Sequence, residues 1–307
     1  MTSFTSIVKN EVSKLETIQA ENIAELSAVV ISSIYNDKQI KIDTENASVA
    51  RRVYSLFRNQ FGVYPKVTVR KGYNYNKNLI YILEVNSDIS EILSTLAIFE
   101  DASIPKEFII DDMDTMRAYL RGLFIISGSI NDPKKSRYHL EFHVNNEEYA
   151  KFIVKSLNEF YLNSKYIKRE NKYMIYIKEA EKIGDFLRII NAPEAVLYYE
   201  DIRIYRDHKN MTNRLNNMEQ ANVDKMIETA NRQIEEIEKI KSIGGLDLLD
   251  DKVKEVAIYR LKYPEVSLQE LSEIISIETG NPITKSGLHH RLKKIKDLAD
   301  KIRSKDN

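Results

Sequence analysis

Apolar residues recur along this chain at two periods, and the switches between them lay out its elements. Ile7, Val8, Val12 and Leu15 form a stripe at helical spacing, predicting a short helix over 6–15. A denser apolar helix is predicted at about 22–33, around Ala24, Leu26, Ala28, Val29 and Val30. Residues 39–43 alternate as a strand, and 48–61 is amphipathic through Val49, Val53, Leu56 and Phe57, with Gly62 as its stop. Strands over 66–71 and 79–85 follow, joined by a Gly/Asn/Tyr turn of the hairpin kind.

The same order then recurs. A helix over 116–127 is followed by a loop, a strand at 138–144, a helix at 147–160, and strands near 166–169 and 173–178. The register can be counted: Ala24 lies 96 residues before Leu120, Asn46 lies 100 before Asn146, and Ile80 lies 95 before Ile175. Such offsets describe a duplication with loop insertions and deletions, the extra loop being 131–137.

Both apolar helices carry small residues: Ser27, Ala28, Ser32 and Ser33 in the first, Gly122, Ser127, Gly128 and Ser129 in the second. Small residues let backbones approach closely, so the two helices are expected to pack on each other across a pseudo-twofold axis, with Gly128 as a natural stop.

Further on, Val223, Ile227, Ala230, Ile234, Ile237 and Ile240 draw one narrow seam along a helix expected from about 213 to 241. At 1.5 Å per residue it would be about 40 Å long. Gly244-Gly245 ends it, and the seam suits a connecting or docking helix. Three helices are predicted beyond: 247–263, stopped by Pro264; one opened by the capping box Ser267-Leu268-Gln269-Glu270; and 284–302.

Composition narrows the function. With 307 residues, 46 basic and 46 acidic, the chain has the balance of an ordinary globular protein. No apolar run reaches about 18 residues and no leader pattern opens the chain, so neither a membrane span nor a signal peptide is expected. Having no cysteine, it has no disulfide or thiolate chemistry and fits a reducing cytoplasm. Zero net charge requires a nucleic-acid binder to segregate its cations, and this chain does so. Residues 243–280 carry four Lys/Arg against eight Asp/Glu, whereas 281–307 carry eight against three.

On the last helix Leu288, Leu292, Ile295, Ala299 and Ile302 fall within about 40° of one direction. Ser286, His290 and Lys293 lie opposite, flanked by His289 and Lys294. A capped second helix before a third with a basic outward face resembles a helix-turn-helix, although 278–283 is longer than the usual turn. Gly287, costly within a helix, would let the first turn approach a backbone closely.

Other candidates are weaker. His139 and His143 on a strand are about 13 Å apart and should not share an ion. Gly280–Ser286 lacks the glycine before its lysine and the preceding strand that a phosphate loop needs. Asp111, Asp112 and Asp114 suit a charged helix start, and 205–209 a phosphate contact ahead of the long helix. No metal or cofactor site is expected.

Longer strings carry a resemblance. They are Ser3-Phe4-Thr5-Ser6 with Val8-Lys9, Thr44-Glu45-Asn46-Ala47, Tyr119-Leu120-Arg121-Gly122 running to Gly128-Ser129, and Asn131-Asp132-Pro133-Lys134. Asn213-Arg214-Leu215 leading to Ala221-Asn222, and Thr284-Lys285-Ser286-Gly287-Leu288-His289-His290-Arg291-Leu292, complete the set. Across nearly the whole chain these resemble the WhiA family of bacterial regulators, and the duplicated plan resembles the LAGLIDADG homing-endonuclease fold.

The resemblance implies an α+β fold: a duplicated LAGLIDADG-like saddle with two antiparallel sheets, then an all-α helix-turn-helix domain. The expected divisions are 1–205, with repeats at about 1–100 and 112–205, a connecting helix at 206–243, and the helix-turn-helix at 244–307. It implies a transcriptional regulator, cytoplasmic and nucleoid-associated, tied to sporulation in some groups and to cell division and chromosome segregation in others. Double-stranded DNA is the expected partner, with RNA polymerase or another regulator as a second.

Ser286, His289, His290 and Lys293 are expected at bases, Lys285, Arg291 and Lys294 at phosphates, and Lys209 and Arg214 as further phosphate contacts. Active enzymes of the fold end each motif helix in an acid that holds divalent metal. Here Ile31 and Ser127 take those places, so cleavage is not expected. Two rival classes remain: a metal-dependent nuclease recruiting Asp132 or Asp201, and an interaction protein acting through the saddle or the 223–240 seam.

Overall fold

The computed structural model describes residues 3–72, 79–98, 104–135 and 137–304. The chain divides into two compact units at Asp207/His208.

The first unit is a repeat. Its first copy runs α1 (Phe4–Val12), α2 (Gln19–Ile31), β1 (Ile34–Asn36), β2 (Gln39–Thr44), α3 (Ala47–Phe61), β3 (Lys66–Lys71), β4 (Leu79–Val85) and α4 (Ile89–Thr95). The second runs α5 (Met113–Ser127), β5 (Gly128–Ile130), β6 (Leu140–Val144), α6 (Glu147–Glu159), β7 (Lys165–Arg169), β8 (Lys172–Ile177) and α7 (Ala180–Ile189). The antiparallel sheets are ordered β1-β2-β4-β3 and β5-β6-β8-β7, the same order twice.

The duplication extends to single atoms. Asn46 Oδ1 accepts from Ser48 N and Val49 N at 2.8 and 3.1 Å, capping α3. Asn146 caps α6 in the same way, from Glu148 N and Tyr149 N at 2.7 and 3.3 Å.

α2 and α5 pack on each other at the centre. A Cβ on Gly122 would lie 2.2 Å from Glu25 O and 3.1 Å from Ala28 Cβ, so the glycine sets the backbone approach. Beside it sits a buried ion network. Glu25, fully buried, accepts from Arg52 Nε and Nη2 and from Arg121 Nε, each at 2.9 Å, and Arg121 also reaches Glu21 at 3.5 Å. Above and around it, Ile40, Ile42, Leu83 and Val85 of one sheet and Leu140, Phe142, Ile175 and Ile177 of the other complete the core.

Several expectations change. Gly128 does stop α5, but in an extended conformation (φ −86°, ψ 145°) that opens β5; a Cβ there would lie 2.4 Å from the Phe124 ring, so space rather than a left-handed turn demands glycine. The predicted hairpin pairs as expected, Lys66 opposite Glu84 and Lys71 opposite Leu79, while its turn at 73–78 lies outside the described residues.

The long helix begins much earlier than expected: α8 runs Pro193–Ser242. Proline suits a first helical turn, and Glu11 accepts from Glu194 N and Ala195 N at 2.7 and 2.9 Å, satisfying amides the helix cannot. Residues 205–209 therefore lie inside a helix. Arg206 Nη1 donates to Pro133 O and Lys135 O at 2.7 and 2.6 Å and its guanidinium covers Tyr138, pinning the 131–135 loop instead of waiting for phosphate.

Among the described residues no helix is long and apolar enough to cross a membrane.

Candidate nucleic-acid interface

The second unit is built on α9 (Asp251–Lys262), α10 (Leu268–Thr279) and α11 (Lys285–Arg303), with the end of α8 as a fourth helix. α9 starts later than expected, because residues 245–248 form a separate turn and Leu249 is extended. Ile237 and Ile240 of α8, Val253, Val256 and Ala257 of α9, Leu271 and Ile275 of α10, and Leu288, Leu292, Ile295 and Ala299 of α11 make one core. The seam on α8 is thus half used: Ile237 and Ile240 are fully buried, while Val223 and Ile227 are 44% and 46% exposed.

Local signals place α11. Ser267 Oγ accepts from Glu270 N at 3.2 Å and Glu270 returns the bond by accepting from Ser267 N at 2.7 Å, the predicted capping box. Gly280 ends α10 at φ 69°, a left-handed conformation that favours glycine. The five residues between α10 and α11 are tied down where Ser276 Oγ accepts from Ile283 N at 2.9 Å. Thr284 then caps α11, its Oγ1 accepting from Gly287 N at 3.1 Å.

One contributor was not read from sequence. Arg260, in the amphipathic stripe of α9, is 1% exposed and donates to Val266 O at 2.8 Å, holding the α9–α10 turn. Burial lowers its pKa from the ordinary arginine value. A lone arginine in a charged helix gives no sequence signal of that role.

The folding leaves one face of α11 open. Lys285, Ser286, His289, His290, Lys293 and Lys294 are exposed; Arg291 is half-buried. Arg291 Nη1 donates to Lys252 O at 3.3 Å and lies 3.7 Å from Glu255, and Lys294 lies 3.6 Å from Asp250. Both are therefore partly engaged by α9 and its N-terminal edge. In the C-terminal half Asp297 and Asp300 are exposed beside Lys296, Lys301 and Arg303, so acids interrupt the positive charge there, whereas the first three turns carry no acid.

Gly287 does not serve packing within the chain: a Cβ there would meet only Thr284 Oγ1 at 3.4 Å and Ile283 Cγ1 at 3.6 Å. Lys209 and Arg214 are exposed on α8. Arg214 precedes Ile237, where α8 joins the α11 core, by 23 residues, about 35 Å along a helix, so the structure does not gather Lys209 and Arg214 with the α11 set.

In the first unit, His139 Nε2 and His143 Nε2 flank the Glu141 carboxylate at 2.9 and 3.4 Å. They share a carboxylate, not an ion. Burial pushes the Glu141 carboxyl up, but bonds from His139, His143 and Ser129 outweigh it and hold it below its ordinary range. Asp112 caps α5, accepting from Asp114 N and Thr115 N at 2.9 and 2.7 Å, as a charged helix start should. Of the rival carboxylates, Asp132 Oδ1 accepts from Lys134 N at 2.9 Å in its own turn and Asp201 lies exposed on α8. Among the described residues no three His, Asp or Glu side chains converge as metal ligands. Ile31 and Ser127 are the last residues of α2 and α5, 96 apart as the repeat requires, and Ser127 Oγ donates to Leu123 O at 3.0 Å.

Comparison with known proteins gives a consistent result along the chain. The WhiA N-terminal LAGLIDADG-like domain matches residues 19–99, the WhiA LAGLIDADG-like domain 116–209, and the WhiA C-terminal HTH domain 212–299. A probable cell division protein WhiA of Staphylococcus aureus (strain JH9) is 42% identical, the match covering 98% of each chain. The same fold occurs in the crystal structure of full-length DUF199/WhiA from Thermatoga maritima, at TM-score 0.57 and 24% identity, over 98% of this chain and 99% of that one. The N-terminal LAGLIDADG domain of DUF199/WhiA, solved separately, aligns at TM-score 0.50 and 24% identity over 62% of this chain and 94% of its own. Strings spread from Ser3 to Leu292, a sheet order repeated twice and a capped helix-turn-helix thus converge: the chain belongs to the WhiA family.

Proposed function

We propose that this protein is a transcriptional regulator that binds duplex DNA through the N-terminal half of α11 and does not cut it. What carries the reading is the open cationic face of that helix, Lys285 to Lys294, standing on a packed helix-turn-helix core. Ser286, His289, His290 and Lys293 are placed to read base edges, with Lys285 and Lys294 at phosphates. Arg291, held by α9, acts at most from the rim. A role in cell division is supported by the name of the Staphylococcus relative; chromosome segregation or sporulation would follow from the wider family.

Lys293→Ala with Lys294→Ala in the full-length chain should weaken binding to any duplex about 10- to 100-fold at low salt. It should also lower the slope of log K against log salt by about 0.9, for the phosphate that Lys294 no longer neutralises. Unchanged affinity and slope would place the interface elsewhere. Gly287→Ala separates DNA approach from folding. It should leave thermal stability unchanged or slightly raised, because alanine favours a helix by up to about 1 kcal/mol and meets only ordinary contacts, while weakening DNA binding.

The absence of cleavage rests on the two motif-helix ends. A serine hydroxyl already bonded to Leu123 O and an isoleucine cannot hold a divalent cation as paired carboxylates do. Supercoiled plasmid incubated with the protein and Mg²⁺ or Mn²⁺ should stay supercoiled. Metal-dependent nicking that copurifies with the chain and is lost in Asp132→Asn or Asp201→Asn would restore the nuclease reading.

A further inference from the structure

The two flanks of α11 differ. On the α9 side, Arg291 and Lys294 already have Glu255 and Asp250 as partners. On the α8 side, Arg232, Gln233 and Glu236 of α8 face His289, Lys293 and Lys296 of α11 across a groove of about 470 Å³. Arg232, Lys293 and Lys296 make no ion pair among the described residues. Their position is fixed, since Ile237 and Ile240 lock this stretch of α8 into the same core as Leu292 and Ile295.

The groove floor is polar and incompletely satisfied. Gln233 is 8% exposed and its Oε1 has no hydrogen-bond partner; a half-turn of the amide presents two N–H donors instead. Glu236 is 4% exposed, and burial raises its pKa against the opposing pull of Arg232 and Lys296. With Asp297 on the rim, three permanent cations face two carboxyls, one of them buried beneath them. Lys293 belongs both to this groove and to the outward face of α11, so the two surfaces are continuous.

We propose that this groove seats the sugar–phosphate backbone of a bound duplex, with Arg232 and Lys296 as phosphate contacts beyond those predicted on the α11 face. This rests on the DNA-binding reading above. It assigns α8 a direct part in holding the nucleic acid, in addition to its part in the core.

The test uses the full-length chain and a labelled duplex of about 30 base pairs of arbitrary sequence, titrated from about 50 to 200 mM salt. Arg232→Gln should weaken binding about 3- to 10-fold and lower the salt slope by about 0.9; adding Lys296→Gln should lower it by about 1.8 in total. Arg232→Lys should restore most of the slope, because the contact is electrostatic. Thermal melting should not move, as Arg232 is exposed. If both glutamine variants bind as the parent does while Lys293→Ala weakens binding, the groove is not a phosphate site and the α11 reading stands. If Lys293→Ala is also without effect, both readings fall. A loss that Arg232→Lys does not repair would overturn the proposal in favour of a packing role.

Discussion

Replacing Glu25 by glutamine is expected to destabilise the first unit by about 3–5 kcal/mol, the usual cost of breaking a buried ion pair from one side. Glu25 is the common acceptor for two guanidiniums: Arg52 approaches through Nε and Nη2 and Arg121 through Nε, all at 2.9 Å. Glutamine preserves the shape but removes the charge and turns one acceptor into a donor facing donors. Arg52 would keep Leu15 O and Thr17 Oγ1. Arg121, whose side chain is 4% exposed, would keep only Glu21 at 3.5 Å, so most of the cost falls there. Urea unfolding should show a lower midpoint at an unchanged slope. The paired replacement Glu25→Leu with Arg121→Leu should recover part of the stability, because Arg121 is then not left charged in the core, while Arg52 keeps only its neutral acceptors Leu15 O and Thr17 Oγ1. A single-variant cost under about 1 kcal/mol would mean that the network is solvated and that its burial has been misread.

Gly122→Val should be at least as damaging, at about 3 kcal/mol or more, and is expected to lower the yield of folded protein. Overpacking commonly costs about 1–3 kcal/mol where side chains can move aside. Here the first atom struck is backbone: Glu25 O, 2.2 Å from where Cβ would be, with Ala28 Cβ behind it at 3.1 Å. Relief requires α2 and α5 to move apart, which opens the core they share. Gly128→Ala is the informative comparison, since its Cβ would meet only Phe124 of its own helix, the ring at 2.4 Å and Cα and O at 2.9 Å, so relief does not require α2 and α5 to part. It should cost clearly less. Equal melting temperatures for the two variants would show that α2–α5 contact is not what fixes Gly122.

Much of this was legible in the sequence, and what was missed had physical causes. The repeat could be counted because both copies keep the residues that start their elements, Asn46 and Asn146 among them. The small residues foretold the α2–α5 approach, since glycine in an apolar helix costs stability unless something needs the space. β1 and β5 escaped because three residues carry no period. The start of α8 escaped because 200–209 is too polar to show a stripe; its helical state is set by Pro193 and by Glu11, 183 residues away.

On α11, spacing alone identified the exposed face. It could not show that Arg291 and Lys294 have partners in α9 and its N-terminal edge, nor that Arg232 faces the other flank. Those facts depend on which helix packs where, information that no single helix contains.

Glu25 and Arg121 stand 96 residues apart, at the same place in the two copies, and carry opposite charges. A first copy mated with another first copy would set carboxylate against carboxylate at the buried axis. Two second copies would set guanidinium against guanidinium. Only the mixed pairing is neutral. The halves have thus become non-interchangeable, like plug and socket: a first copy accepts only a second copy, and pairing of like with like is penalised at the buried axis.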